Sequence, residues 1–386
     1  MSGVTLSSAV RNNLTALQST SQMMSKVQEK LSTGKKVNSA LDNPNSFFTA
    51  QGLSNRAGDL GTLLDDMGQT VQTLKAADKG ISSISGLVDA AKAKANQAAQ
   101  TSSQTQRAQY AKEFNELMTQ IESVAKDSGY KGKNLLGGTG NDLKVTFNEN
   151  GSSKLDISAV NFTDTTSSTG LNLSDLKTGT SGTTSITLTN GTATTALTGG
   201  SLLTADSEFA AGDVLSLTDT NGTEIGKLEI TATTTVNDLK KFLDDTSGVK
   251  AALSGGTMTV TSEFKLTIAS SSDASGSFAD RTTNNSEESG FAKDSDIDAA
   301  LKRLKGAQDT LRAQASTFGT NLSIVQNRQD FTKALINTLE EGAGKLTLAD
   351  TNQEGANLLA LQTQQSLAST ALSLAASADQ NVLRLF

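Results

Sequence analysis

Apolar residues recur at both ends of the chain with the spacing of a helical seam. Val10, Leu14, Leu17, Met24 and Leu31 alternate three and four apart, and Ser21 and Gln28 fill the same register. This predicts one helix over residues 1–33 that packs along its seam against a partner. Residues 348–386 are patterned alike, with Leu367, Ala371, Leu374, Ala378, Val382 and Leu385 sharing one face. Both ends are nearly uncharged. Up to Ser25 the only charged side chain is Arg11, and after Glu354 only Asp379 and Arg384 follow. A lone amphipathic helix in water carries Lys and Glu outside. Outer faces of Ser, Thr, Gln, Asn and Ala suit burial against protein on several sides.

Inward of each end the rhythm continues with charged residues between the apolar ones. Leu60, Leu64, Met67, Val71, Leu74, Ile81, Ile84 and Val88 predict a long helix, and Gln100–Gln106 reads as a polar turn. A second helix carries Phe114, Leu117, Ile121 and Val124, and Gly129-Tyr130-Lys131-Gly132 closes it. Ile297, Leu301, Leu304, Leu311, Ala315, Phe318, Leu322 and Val325 repeat the pattern in the second half. Three such helices can form an antiparallel bundle.

Between residues 140 and 290 the period shifts toward two and Thr, Ser and Gly dominate. Residues 143–147 and 154–157 read as short strands. Asn190-Gly191 and Asn221-Gly222 each separate β-prone runs, the pattern of a tight hairpin. Thr235-Val236-Asn237-Asp238 has the form of a capping box opening a helix with Val236, Leu239, Phe242 and Leu243 on one side. A further hairpin is expected about Gly255-Gly256. The predicted fold class is a mainly α coiled-coil and helical-bundle rod, formed by the N- and C-terminal regions, with an inserted β-rich α+β domain. The expected boundaries are 1–33 with 348–386 for the terminal coiled coil. Connectors are placed at 34–58 and 336–347. The rod with its short hairpins takes 59–177 and 276–335, and the inserted domain 178–275.

Composition narrows the chemistry. The 386 residues include no Cys and no His. That removes thiol nucleophiles, Ser–His and Cys–His catalysis, and the common transition-metal sites. No catalytic, cofactor-binding or metal residues are assigned, and no cofactor is expected. A formal charge of -7 argues against nucleic acid as a partner. No stretch approaches the length of apolar sequence that crosses a membrane, so membrane insertion is not expected. The N-terminal residues lack the pattern of a cleaved signal peptide. The acid pairs Asp65-Asp66, Asp244-Asp245, Glu287-Glu288 and Glu340-Glu341 are sequence neighbours. Neighbours on a helix diverge, so these read as solvated faces. The Ser/Thr clusters at 163–169 and 270–272 read as solvated linker.

Two stretches carry a family resemblance. Residues 31–42, Leu-Ser-Thr-Gly-Lys-Lys-Val-Asn-Ser-Ala-Leu-Asp, resemble the N-terminal signature of bacterial flagellins. Gly80-Ile81-Ser82 and Gly129–Leu136 resemble further parts of it. Leu348-Ala349-Asp350-Thr351-Asn352, Leu358–Gln365 and the closing Val382–Phe386 are similar to the C-terminal signature. The resemblance covers about residues 1–138 and 290–386, and the run from 212 to 268 is similar to an insertion module of that family. It implies a structural, non-enzymatic subunit of the extracellular flagellar filament. Subunits would be exported unfolded and would polymerise through their paired terminal helices. The implied partners are other copies of the chain, an export chaperone, the secretion apparatus, the filament cap and hook-junction proteins. Val10, Leu14, Leu17, Met24 and Leu31, with Leu359, Leu367, Leu374, Val382 and Leu385, are the candidate self-assembly residues. A hook–filament junction protein and a surface adhesin or glycan-binding module are the alternative readings.

Overall fold

The computed structural model describes residues 8–271 and 278–383, and the chain divides into two compact units. The first contains helix α1 (Ser8–Thr33), the opening of α2 (Pro44–Gln100), residues Val145–Leu155, the end of α5 (Asp294–Thr347) and α6 (Thr351–Leu383). Here α1 and α6 run antiparallel. The Lys30 ammonium meets Glu354 near the start of α6, while Met23, about two turns back, lines a groove with Leu361 and Gln364. The link out of α1 reverses at Gly34, whose φ of 67° suits a residue without Cβ. Lys35 then bridges Leu348, and the amides of Lys36 and Val37 donate to the Thr347 carbonyl.

Irregular backbone ends earlier than the sequence predicts. Residues 44–58 are the first turns of α2, and 336–347 are the last turns of α5. Pro44 occupies the first helical position, where its missing N–H has no helical partner to lose. Asn43 precedes it as a cap, its Oδ1 accepting from the Ser46 amide at 3.1 Å. The two helices meet through Ala57, Leu60 and Leu339. Beside them lies a hairpin of β1 (Leu143–Thr146) and β2 (Lys154–Ile157). Its turn is held by an Arg56–Glu149 ion pair of 2.7 Å, and the Arg328 guanidinium lies over the Phe147 ring.

The second unit holds the rest of α2, α3 (Gln104–Asp127) and the opening of α5, together with the inserted domain. Ile81, Ile84 and Val88 of α2, Phe114, Met118 and Ile121 of α3, and Leu304, Leu311 and Phe318 of α5 are buried. Leu117, Val124, Leu301, Ala315 and Leu322, expected on the same seams, are only half-buried. Met118, Ala125, Ala300 and Ala307 take the deeper positions. Two phases of a three-and-four pattern lie one residue apart, and alanine, small enough to let helices approach closely, hides the deeper one.

The inserted domain comprises two antiparallel sheets. One has the order β3 (Gly182–Thr187), β7 (Thr257–Ser262), β6 (Val249–Ser254). The other runs β5 (Glu224–Glu229), β4 (Val214–Thr218), β8 (Thr267–Ser270), β9 (Arg281–Thr282). Helix α4 (Val236–Asp245) carries the expected capping box, with Thr235 accepting from the Asp238 amide and Asp238 from the Thr235 amide. Leu215, Leu217, Leu239, Leu243, Met258 and Ile268 belong to the core these elements enclose. The hairpins about Asn221-Gly222 and Gly255-Gly256 form as predicted. Asn190-Gly191 makes a turn but no strand hairpin. β3 pairs instead with β7, and the Thr-rich run returns through a single bridge, Thr189 to Ala196.

One carbonyl fastens the domain to the bundle within this unit. The Ala292 oxygen accepts from Gln104 Nε2 at 3.1 Å, Arg107 Nη1 at 3.1 Å and Asn221 Nδ2 at 2.9 Å. Gln104 also donates to Asp219, and Arg107 pairs with Asp294 at 2.7 Å. No short motif announces this cluster, because its members lie far apart in sequence.

Two glycines of α2 give a test of the packing. A Cβ on Gly80 would sit 2.1 Å from Ser128 Oγ and 2.8 Å from Leu136 Cδ1. On Gly86 it would meet nothing within 4 Å. Gly86→Ala is expected to stabilise by about 0.5–1 kcal/mol through helix propensity. Gly80→Ala gains the same propensity but is expected to lose ~1–3 kcal/mol to overpacking. Thermal unfolding of the two variants should shift in opposite directions.

Candidate self-assembly surface

The α1–α6 pair is held by a neutral seam. On α1, Val10, Thr20 and Val27 are buried, and Asn13, Leu17, Met24 and Leu31 are half-buried. The seam therefore shares Val10, Leu17, Met24 and Leu31 with the predicted register. It passes through Asn13, Thr20 and Val27 in place of Leu14, Ser21 and Gln28, which are exposed. Asn13 and Thr20 are polar, so hydrophobicity alone favours the wrong phase at Leu14. Thr20 fits a buried position because its hydroxyl donates to the Ala16 carbonyl of its own helix at 2.9 Å.

On α6 the side toward α1 carries Leu358, Leu361, Gln365, Ala368, Leu372 and Ala375, all half-buried. Leu359, Leu367 and Leu374 lie on the other side. At roughly 100° per residue they fall about half a turn from that seam, and they are 66%, 67% and 67% exposed. The helix is thus apolar on two opposed faces and only one is covered. The Val382 side chain and Leu385 lie outside the described residues. On α1, Leu14 and Met23 are the exposed large apolar side chains, at 40% and 45%. Met23 lies off the predicted seam.

Three hydroxyls beside these leucines are already satisfied. Thr363 donates to Leu359 O, Thr370 to Ser366 O and Ser377 to Ser373 O, each at 2.9 Å. Hydroxyls turned back on their own helix can be covered by protein without stranding a donor. Such a surface loses little when water is removed from it.

One ion pair crosses the seam in the described residues. Lys30 Nζ donates to Glu354 Oε1 at 3.1 Å. This bond holds the Glu354 carboxyl below its ordinary pKa, with Asn357 adding a weaker donor. A carboxylate whose pKa is lowered on folding stabilises the fold above its unfolded pKa, and that contribution is lost as pH falls through the folded value. Acidification through the glutamate range is therefore expected to weaken α1–α6 pairing. Glu354→Gln should flatten the rise in critical concentration for polymerisation as pH falls below the ordinary glutamate value of about 4.3.

The described residues contain no group of three or more metal-ligating side chains and no helix long and apolar enough to cross a membrane. The surface offers apolar area, neutral polar residues and a long helical register.

Comparison with known proteins agrees with that character. The bacterial flagellin N-terminal helical region matches residues 5–141, and the bacterial flagellin C-terminal helical region matches residues 301–386. Flagellin A of Rhizobium meliloti is 26% identical over the full length of both chains. Flagellin C of Rhizobium meliloti (strain 1021) is 40% identical over 20% of this chain and 24% of its own. Among solved structures, a flagellar hook associated protein-3 from Legionella pneumophila aligns over 87% of this chain and 99% of its own. Its sequence identity is 14% and its TM-score 0.25. The two helical regions flank the middle of the chain in the expected order and cover more than half of the sequence. The chain belongs to the bacterial flagellins, structural proteins and not enzymes, which form the extracellular filament of the flagellum.

Proposed function

We propose that this chain is a principal filament subunit that leaves the cell unfolded and polymerises through α1 and α6. The observation that carries the reading is the uncovered apolar face of α6, opposite its seam with α1. A monomer has no use for a helix that is apolar on two sides, whereas a polymer buries both. In the filament, 1–33 and 348–386 form the inner layer, the bundle a shell around it, and the segment 178–275 the outer surface. An export chaperone, the secretion apparatus, a filament cap and hook-junction proteins are the partners this life cycle requires. Short helices draw most of their stability from packing, so further ordering of α1 and α6 accompanies assembly.

Removal of residues 356–386 tests the proposal directly. Seeded or salt-induced polymerisation, followed by light scattering and electron microscopy, is expected to vanish for the truncated chain. The bundle and inserted domain should still unfold cooperatively. A truncated chain that polymerises as well as the intact one would refute the reading.

A further inference from the structure

The start of α3 carries a buried acceptor that the fold leaves without a donor. Gln104 is 3% exposed, and its Nε2 donates to Asp219 Oδ2 at 2.9 Å and to Ala292 O at 3.1 Å. Two acceptors on that side fix the amide, because a flipped side chain would turn its oxygen toward both. Oε1 therefore faces away from them, and no donor among the described residues reaches it. A buried oxygen left in this state is costly, and most native ones are filled.

Gln104 lies in the wall of a cleft of about 580 Å³ within the second unit. The first turn of α3, the open edge of β5 and the C-terminal end of α4 border it. Ile225 and the ring of Phe242 give the cleft an apolar side. A Cβ on Gly226 would stand 3.2 Å from two carbons of that ring, so glycine lets the ring lie close against β5. Ser102, Thr223 and Ser247 bring exposed residues with hydroxyls to the rim.

No one sign of charge dominates the cleft. Lys227 pairs with Glu224 at 3.3 Å. Helix α3 opens onto the cleft with the positive end of its dipole, and α4 with its negative end. Asp245 remains as an exposed carboxylate at the rim, where it can accept hydroxyls.

We infer that this cleft binds an uncharged pyranose ring, with a ring hydroxyl donating to Gln104 Oε1. A pyranose carries hydroxyls that both donate and accept around an apolar face of C–H groups. That matches an orphaned acceptor, a rim of hydroxyls and one aromatic wall. A cavity of about 150 Å³ already holds benzene, so the cleft has room for one pyranose or two linked ones. The inference goes beyond the assembly reading and does not rest on it. Repeated along a polymer, one weak site per subunit becomes multivalent.

Saturation-transfer NMR on the monomeric full chain tests it with glucose, galactose, mannose and N-acetylglucosamine, each free and as its methyl glycoside. At least one is expected to bind with a Kd of about 1 mM or tighter. Binding of the free sugar alone identifies a solute, and binding of both forms a ring within a glycan; both support the site. The side-chain amide signal of Gln104, assigned from its backbone, should move on titration. That of Gln120, exposed on α3 outside the cleft, should stay. Thr223→Trp fills the rim from an exposed position and is expected to weaken binding about tenfold or more, with thermal unfolding unchanged. Equal binding by that variant would count against the cleft. If no sugar binds, or if one binds without moving the Gln104 signal, the inference is overturned and the assembly reading stands.

Discussion

Leu367→Glu combined with Leu374→Glu is expected to raise the critical concentration for polymerisation at least 100-fold and to leave the monomer's helix content unchanged. Both side chains are two-thirds exposed in the single chain, so the monomer has little packing there to lose. Glutamate and leucine have similar helix propensities. In the polymer the account differs. Covering a leucine is worth about 1.5–3 kcal/mol, and these two have roughly two-thirds of that still to gain. A carboxylate in the same place must be desolvated without a partner, which costs several kcal/mol more. Since ~1.4 kcal/mol changes an equilibrium tenfold, even a partial loss exceeds 100-fold. Leu367→Gln with Leu374→Gln removes the apolar area without adding charge and should fall between the two. Sedimentation of seeded mixtures measures the critical concentration, and circular dichroism the monomer. Glutamate variants that polymerise at the unmodified concentration would show that this face stays uncovered.

The same residues show what the sequence made legible. Missing charge at the two ends marked α1 and α6 as surfaces for burial, because an exposed helix of that length ordinarily carries charged residues. It did not mark which face meets which partner. On α1 the registers through Leu14 and through Asn13 differ by one residue, and the structure uses Asn13, Thr20 and Val27. On α6, the spacing puts Leu367 and Leu374 on one face with Ala371 and Ala378, and that face lies opposite α1. A helix with two apolar faces gives two overlapping periodicities, and spacing alone cannot rank them. Local signals fared better. The capping box at Thr235 and the turns at Asn221-Gly222 and Gly255-Gly256 depend on a few adjacent residues, and each forms. Asn190-Gly191 failed as a strand hairpin because β7 competes for β3, a choice settled some 70 residues downstream. The cluster about Ala292 O was illegible for the same reason. Its donors come from α3 and from the turn between β4 and β5.

Assembly and folding should separate cleanly between the two units. Phe114→Ala is expected to destabilise the second unit by about 3–5 kcal/mol, the usual range for removing a fully buried phenylalanine. Phe114 is buried on α3 and meets the ring of Phe291 edge to face, with centroids 5.7 Å apart and planes at 79°. The pair is worth ~0.5–1.5 kcal/mol beyond its area, so Phe291→Leu should cost less in the Phe114→Ala background than on its own. For a unit of this size, ~1 kcal/mol shifts the midpoint by about 2–4 °C. A fall of roughly 10 °C in the thermal transition is therefore expected. Below that transition the second unit remains folded, and neither α1 nor α6 contains Phe114. Polymerisation at 25 °C should then proceed at a nearly unchanged critical concentration. The Leu367 and Leu374 variants reverse the result, keeping the transition and losing the polymer. Scanning calorimetry of monomers and sedimentation of seeded mixtures read both effects. If Phe114→Ala loses polymerisation while its fold is intact at 25 °C, assembly depends on the second unit and cannot be assigned to the terminal helices alone.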